Sequence, residues 1–360
     1  MDDRFRPLAF HRRLPGYAPT ELRDVDPPAV DGVSRMVLKL ETSRYGLPAF
    51  KVLGASWATA VRVATWLGLA GPGDDLVELR RAIARHRATA RPSLVTATDG
   101  NHGRAVAWTA RQLGIAAEIF VPAGTATSRV EAIRSEGAHL TVVDGDYDAT
   151  VAAAAAHATG DRLLVQDTAV PGESAVEHIV EGYSTIFAEL DEQLGAVARL
   201  AVVVPVGVGS LALAAARHYR ERPGTTVLVT VEPTEAASLR ASLATGRLVS
   251  LPGPHTSCMV GLRCGTISES AWPELRSAVG HAVALEDAEA DSAMRWLADR
   301  GIEVGECGAS ALAAVRQMES DGTLGRLRGR EPLTIALVAT EAPTDPERWE
   351  RVVGRPPHTR

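Results

Sequence analysis

The chain has 360 residues, 46% hydrophobic and 23% charged, the composition of a soluble globular protein with one large or two medium domains. A formal net charge of −6 gives no broad basic field for nucleic acid, and no apolar run reaches membrane-spanning length. Cys258, Cys264 and Cys307 lack metal-ligand spacing and suit a reducing compartment, and no apolar leader follows Met1, so the expectation is a cytoplasmic protein without nucleic-acid, membrane or metal partners.

The first thirty residues, rich in Pro, Arg and Asp and without periodicity, predict an extended arm. Short β-rich runs then alternate with longer helical patterns. Strands are predicted at 36–41, 94–97, 118–122, 139–143, 163–166, 200–206, 226–232, 282–285 and 333–340. Helices are predicted at 54–67, 102–113, 129–136, 148–159, 175–194, 210–220 and 287–300. This alternation implies an α/β fold whose mostly parallel sheets are covered by helices on both faces. The four strand–helix units from about 76 to 194 predict a small domain with its own sheet. Residues 31–75 and 195–350 would then share a larger, discontinuous domain, with 351–360 as a tail.

Only two lysines occur, Lys39 and Lys51, while every other side chain of this basic class is Arg. Arg keeps its charge, whereas a desolvated Lys amine can attack a carbonyl. Lys39 lies on a predicted strand and reads as a solvated or ion-paired residue. Lys51 lies in an apolar stretch, Gly46-Leu-Pro-Ala-Phe-Lys51-Val-Leu-Gly54, just before a predicted helix, and is poised for imine chemistry.

Two glycine-containing loops follow predicted strands and open helices. Thr96-Ala-Thr98-Asp99-Gly100-Asn101-His102-Gly103 offers helix N-terminal amides to an anion such as a carboxylate, or is simply a turn in which Asp99 caps the helix. Pro205-Val-Gly207-Val208-Gly209-Ser210 can cradle a phosphate. Gly207, Gly209 and Ala212 also fit a dinucleotide fingerprint, with Glu232 as the ribose acid; that nucleotide-binding alternative leaves Lys51 and the Asn101 loop unexplained.

A lysine for an aldehyde, an Asn loop for a phenolic oxygen or carboxylate and a Gly loop for a phosphate together suggest pyridoxal 5'-phosphate and an amino-acid substrate. In these motifs, with Gly145-Asp-Tyr147-Asp148, Gln166-Asp167-Thr168-Ala, Gly261-Leu-Arg-Cys264-Gly and Thr340-Glu-Ala-Pro-Thr-Asp345, the chain resembles the fold-type II pyridoxal-phosphate enzymes. These are the tryptophan synthase β-like superfamily, and Thr98-Asp99-Gly-Asn101 points to its diaminopropionate ammonia-lyase branch. The resemblance implies two open, mostly parallel twisted sheets and a homodimer. It implies Lys51 as the Schiff-base lysine, Asn101 at the cofactor's phenolic oxygen, Gly207, Val208, Gly209 and Ser210 at its phosphate, and Thr340 at the ring nitrogen. Asp99 and Asp167 would be catalytic carboxylates, and Thr98, Asp99, His102, Tyr147 and Asp167 would meet the substrate. The implied reaction is α,β-elimination of a β-substituted amino acid, 2,3-diaminopropionate to pyruvate and ammonia. The alternatives are hydroxy-amino-acid dehydration and β-replacement. The chain departs from the family pattern at Val170-Pro171-Gly172 and at Cys307 in Gly305-Glu306-Cys307-Gly308, both expected to line or gate the substrate pocket.

Overall fold

The computed structural model describes residues 6–86, 91–168, 175–222, 225–327 and 329–358. Its strands are β1 (Leu22–Val25), β2 (Val33–Leu40), β3 (Ser93–Ala97), β4 (Ala116–Pro122), β5 (His139–Val143), β6 (Arg162–Leu164), β7 (Arg199–Pro205), β8 (Thr226–Pro233), β9 (Val279–Leu285) and β10 (Leu333–Ala339). The α-helices are α1 (Arg6–His11), α2 (Lys51–Trp66), α3 (Leu76–Arg85), α4 (Asn101–Leu113), α5 (Thr127–Ser135), α6 (Tyr147–His157), α7 (Ala175–Leu194), α8 (Ser210–Tyr219), α9 (Ser238–Thr245), α10 (Trp272–Ala278), α11 (Asp287–Ala298), α12 (Glu306–Ser320), α13 (Thr323–Leu327) and α14 (Pro346–Val353). By contact the chain divides into two compact units, Met1–Ala18 with Arg44–Thr185 and Pro19–Ser43 with Ile186–Arg360.

The first unit is built on a parallel sheet in the order β5-β4-β3-β6. Val95, Ala97, Phe120 and Leu164 from its strands pack against Ala154 of α6, so the Ala-rich run is a helix laid closely on the sheet. Helix α4 also sits close to its own strand. A Cβ at Gly103 would fall 2.2 Å from Thr98 Cγ2, which is why glycine occupies that first turn. The chain N-terminus is not the extended arm expected. Leu8, Phe10 and His11 of α1 are buried, and His11 bonds to Thr185 Oγ1 (2.7 Å), Leu53 O (3.0 Å) and Ser56 Oγ (3.2 Å). Helix α2 begins at Lys51 itself and packs on α4 within this unit, whereas the sequence reading assigned 31–75 to the larger sheet.

The second unit carries a sheet in the order β1-β2-β10-β7-β8-β9, parallel except for the β1–β2 pair. Every residue of β10 is buried, and Leu200–Val204 of β7 are too, as in the middle of a sheet covered on both faces. The core joins these strands to α11 and α12 through residues such as Met36, Val203, Leu297, Leu312 and Leu337. Lys39 is wholly buried in this unit and donates to Thr20 O (3.0 Å), Glu189 Oε2 (2.8 Å) and Gln193 Oε1 (2.8 Å). An ammonium has three hydrogens to give, and these three acceptors match them. The expected ion-paired Lys39 is therefore a structural tie between β2 and the second half of α7. No helix among the described residues is long and apolar enough to cross a membrane.

Candidate functional site

Most residues singled out from the sequence fall in the loops, or the first helical turns, that follow parallel strands, the usual ligand edge of an open α/β sheet. In the first unit the loop after β3 is organised by Thr98. Its buried hydroxyl accepts from Gly100 N (2.9 Å) and Gly103 N (3.0 Å), so it holds the loop rather than facing a ligand. The N-cap of α4 is Gly100, with no side-chain bond, so Asp99 is not the helix cap it could have been; Asn101 is the first helical residue.

The loop after β6 carries Gln166 and Asp167. Gln166 Oε1 accepts from Ala97 N (2.8 Å) and Thr96 Oγ1 (3.0 Å), while its Nε2 donates to Ala97 O (3.2 Å) and Tyr147 Oη (3.3 Å). One amide thus fixes the end of β3, the start of α6 and the residue before Asp167. The sequence motif contained Gln166 without revealing this part. Tyr147, half-buried at the start of α6, is reached through it. Val170–Gly172 lies outside the described residues.

Lys51 Nζ donates to Asp167 Oδ2 at 2.9 Å, and the Lys51 side chain retains 26% of its exposure while Asp167 keeps 9%. Burial by itself would lower the Lys51 amine, but Asp167 more than offsets this and keeps it charged. Burial would raise Asp167, yet the His102 ring and the Lys51 ammonium hold it well below its ordinary value. His102 is itself lowered by burial, so near neutral pH the charge that Asp167 meets is that of Lys51. His102 Nε2 lies 2.8 Å from Val165 O and Nδ1 lies 3.8 Å from Asp167 Oδ2; the ring is buried behind Asp167 and does not serve as an exposed ligand. Asp99 is raised by burial and by repulsion from Asp167, against the pull of Arg129 and Lys51. The buried Asp167, the half-buried Asp99 and one amine are therefore electrostatically joined in this unit.

In the second unit the loop after β7 leads into α8. Gly209, at φ +97°, is the N-cap of α8, and the first-turn amides beyond it have no intrahelical acceptor. Gly207 has a different reason to be glycine. A Cβ there would fall 2.6 Å from Gly261 O and 3.2 Å from Cys264 Sγ, so the 261–264 segment closes over it. Thr340 follows β10 with a buried Oγ1 that has no hydrogen-bond partner among the described residues. Gly305–Ser310 opens helix α12, and Cys307 is buried in the unit's core with its thiol raised by burial. Its Sγ faces Gly261, where a Cβ would lie 3.5 Å from it. Glu232, the acid of the dinucleotide alternative, is buried and accepts from Leu239 N (2.8 Å) and Arg240 N (2.9 Å) at the start of α9, so it is not offered to a ribose.

Residues 14–328 match the family model described as pyridoxal-phosphate dependent enzyme. The chain belongs to that family. It is 33% identical to diaminopropionate ammonia-lyase of Escherichia coli K12, over 97% of this chain and 90% of that protein. It is 30% identical to a serine dehydratase-like protein of Mus musculus, over 78% of this chain and 80% of the relative. Among solved structures it matches the Escherichia coli diaminopropionate ammonia lyase in complex with D-serine at a TM-score of 0.86 and 30% identity, covering 98% and 92% of the two chains. The same enzyme in complex with an aminoacrylate-PLP azomethine reaction intermediate matches at 0.82 and 29%, with the same coverage.

Pyridoxal 5'-phosphate is accordingly the cofactor. The residues present fit it. A buried, unpartnered hydroxyl at Thr340 awaits a polar atom, the loop at Gly207–Ser210 presents a helix N-terminus suited to phosphate, and Lys51 is a partly exposed amine beside Asp167 and the rings of Phe50 and Tyr183. Lys39, enclosed by three acceptors, offers no competing attachment point.

Proposed function

We propose that this protein catalyses α,β-elimination of 2,3-diaminopropionate, which with water yields pyruvate and two molecules of ammonia. The observation that carries the reading is the Lys51–Asp167 pair with Asp99 beside it: one amine and two carboxylates in a member of this cofactor family. The relatives whose names state this reaction support it.

When bound, pyridoxal phosphate supplies an electron sink for the charge that develops at the substrate Cα. Lys51 Nζ is the attachment point for the cofactor aldehyde and, once released, the base that takes the Cα proton. Gly207, Val208, Gly209 and Ser210 would hold the phosphate, Asn101 would meet the phenolic oxygen, and Thr340 Oγ1 would face the ring nitrogen. Asp167, relieved of the Lys51 ammonium, holds the substrate's β-ammonium together with Asp99. Asp99, raised above an ordinary aspartate, is the base for the opposite enantiomer. Thr98, Gln166 and His102 position these groups from behind, and Tyr147 stands at the substrate side. Three cysteines not joined in disulfides suit a cytoplasmic compartment, and the resemblance alone supports a homodimer.

The test is pyruvate and ammonia release from both enantiomers of diaminopropionate beside D- and L-serine. Preferred turnover of diaminopropionate is expected. Preference for serine or threonine, or incorporation of an added nucleophile, would move the chain to dehydration or β-replacement.

A further inference from the structure

Helix α7 carries a second group toward Lys51 that the sequence motifs do not mark. Within the first unit, α2 and the first half of α7 meet glycine to glycine. A Cβ at Gly182 would fall 2.5 Å from Leu53 O and 2.8 Å from Gly54 Cα, and one at Gly54 would fall 2.5 Å from Tyr183 Cε1. Gly54 lies one helical turn after Lys51, so this close approach lays the Tyr183 ring beside the lysine. Its neighbours hold it there. The ring meets Phe50 edge to face at 4.7 Å between centroids, and Trp57 Nε1 donates to Glu181 Oε2 at 2.8 Å to fix the helix register. The Lys51 nitrogen stands 6.0 Å from the Tyr183 ring centre and 5.5 Å from that of Phe50.

The Tyr183 hydroxyl is fully buried, and its polar neighbour is the Lys51 amine. A buried hydroxyl without a partner is destabilising, so the approach of Lys51 gives this oxygen a use. The charged groups acting on it are Lys51 and Asp167. Burial raises the phenol, which stays neutral and can accept a hydrogen bond without becoming a base.

We propose that Tyr183 is a positioning residue for Lys51: its oxygen accepts a hydrogen bond from the amine when that amine is free of cofactor, and so aims the nitrogen lone pair. This rests on the reading of Lys51 as the cofactor lysine. As Asp167 turns to the substrate's β-ammonium, Tyr183 keeps one N–H of the released amine, and the lone pair is left directed at the substrate Cα. The other titratable groups around the amine are Asp99 and His102, on the loop after β3 and on α4.

The test uses Tyr183→Phe in the full chain, which keeps the ring against Gly54 and Phe50 and removes the oxygen alone. With cofactor loaded, kcat should fall roughly tenfold, the loss of one hydrogen bond, while KM and cofactor content change by less than about twofold. The readout independent of turnover is the pH dependence of Lys51 acetylation in the cofactor-free chain, followed by mass spectrometry. It is clean because the only other lysine, Lys39, is wholly buried. Loss of the acceptor should move the labelling midpoint to lower pH. Ile179→Val, which loosens the packing at Gly54 without touching the oxygen or the aromatic rings beside the amine, should leave that midpoint in place. If Tyr183→Phe does not fold, 3-fluorotyrosine at position 183 keeps the hydroxyl, weakens it as an acceptor and should shift the midpoint the same way by less. An unchanged midpoint and an unchanged kcat would reduce Tyr183 to packing and overturn the proposal while leaving the function intact. Absence of cofactor from Lys51 in the wild type would overturn both.

Discussion

Asp99 and Asp167 show most directly how side-chain surroundings decide chemistry. Both are carboxylates beside one amine, yet Asp167 is held low by Lys51 and Asp99 is raised by burial. A serine hydroxyl needs no anionic pair, whereas a β-ammonium does. Asp99→Asn and Asp167→Asn should each lower kcat/KM for diaminopropionate by about ten- to a hundredfold, the effect of a charge-assisted hydrogen bond of roughly 1.5–3 kcal/mol, with a smaller loss for serine. Asp99→Asn should also impair one enantiomer selectively. Because Asp99 must be deprotonated to act as a base, activity on that enantiomer should fall on the acid side at a pH above the ordinary aspartate range. Equal losses for both substrates would make the carboxylates structural. The sequence displayed these residues because they sit in contiguous motifs. It did not display Tyr183 or the role of Gln166, since those depend on contacts between Lys51 and α7, or between β3 and the loop after β6, that are distant along the chain.

At the scale of elements, periodicity found the central strands and the helices between them, because apolar runs with glycine-marked ends are local signals. It missed α1, a six-residue helix opening Arg-Pro, whose burial depends on His11 reaching Leu53, Ser56 and Thr185. It also missed α12, whose Cys-Gly-Ala start looks like a loop until packed against the end of β10, where a Cβ at Gly308 would fall 3.1 Å from Glu341 O. The phosphate reading of the Pro205–Ser210 loop gives one reason for a glycine at 207; the Gly261 carbonyl, 2.6 Å from where a Cβ would stand, gives another. Gly207→Ala should therefore destabilise the unit by about 1–3 kcal/mol in denaturant melts of cofactor-free protein, as overpacking does. Loss of cofactor with no change in that melt would restore the phosphate as the reason. At the start of α9, burial raises Glu232 to about 7 from an ordinary 4.5, despite two amide donors. A carboxyl raised on folding contributes stability that is present below its unfolded value and lost as pH rises through the folded one. Relative to Glu232→Gln, the wild type should lose about 3 kcal/mol between pH 4 and pH 8. A gap that does not vary with pH would mean that Glu232 ionises normally.

For the whole molecule, the presence of two mostly parallel sheets was readable from strand–helix alternation, whereas the membership of residues 44–75 was not, because packing of α2 on α4 is a tertiary choice. What ties sequence, fold and chemistry together is the contrast between two lysines. One is enclosed by Thr20, Glu189 and Gln193; the other faces Asp167 with part of its surface open. The decisive measurement is borohydride reduction of the purified protein followed by digestion and mass analysis. The pyridoxyl group should appear on the peptide containing Lys51 and nowhere else, and Lys51→Arg should carry none and turn over no substrate. A pyridoxyl group on Lys39, or on neither lysine, would contradict the assignment of Lys51.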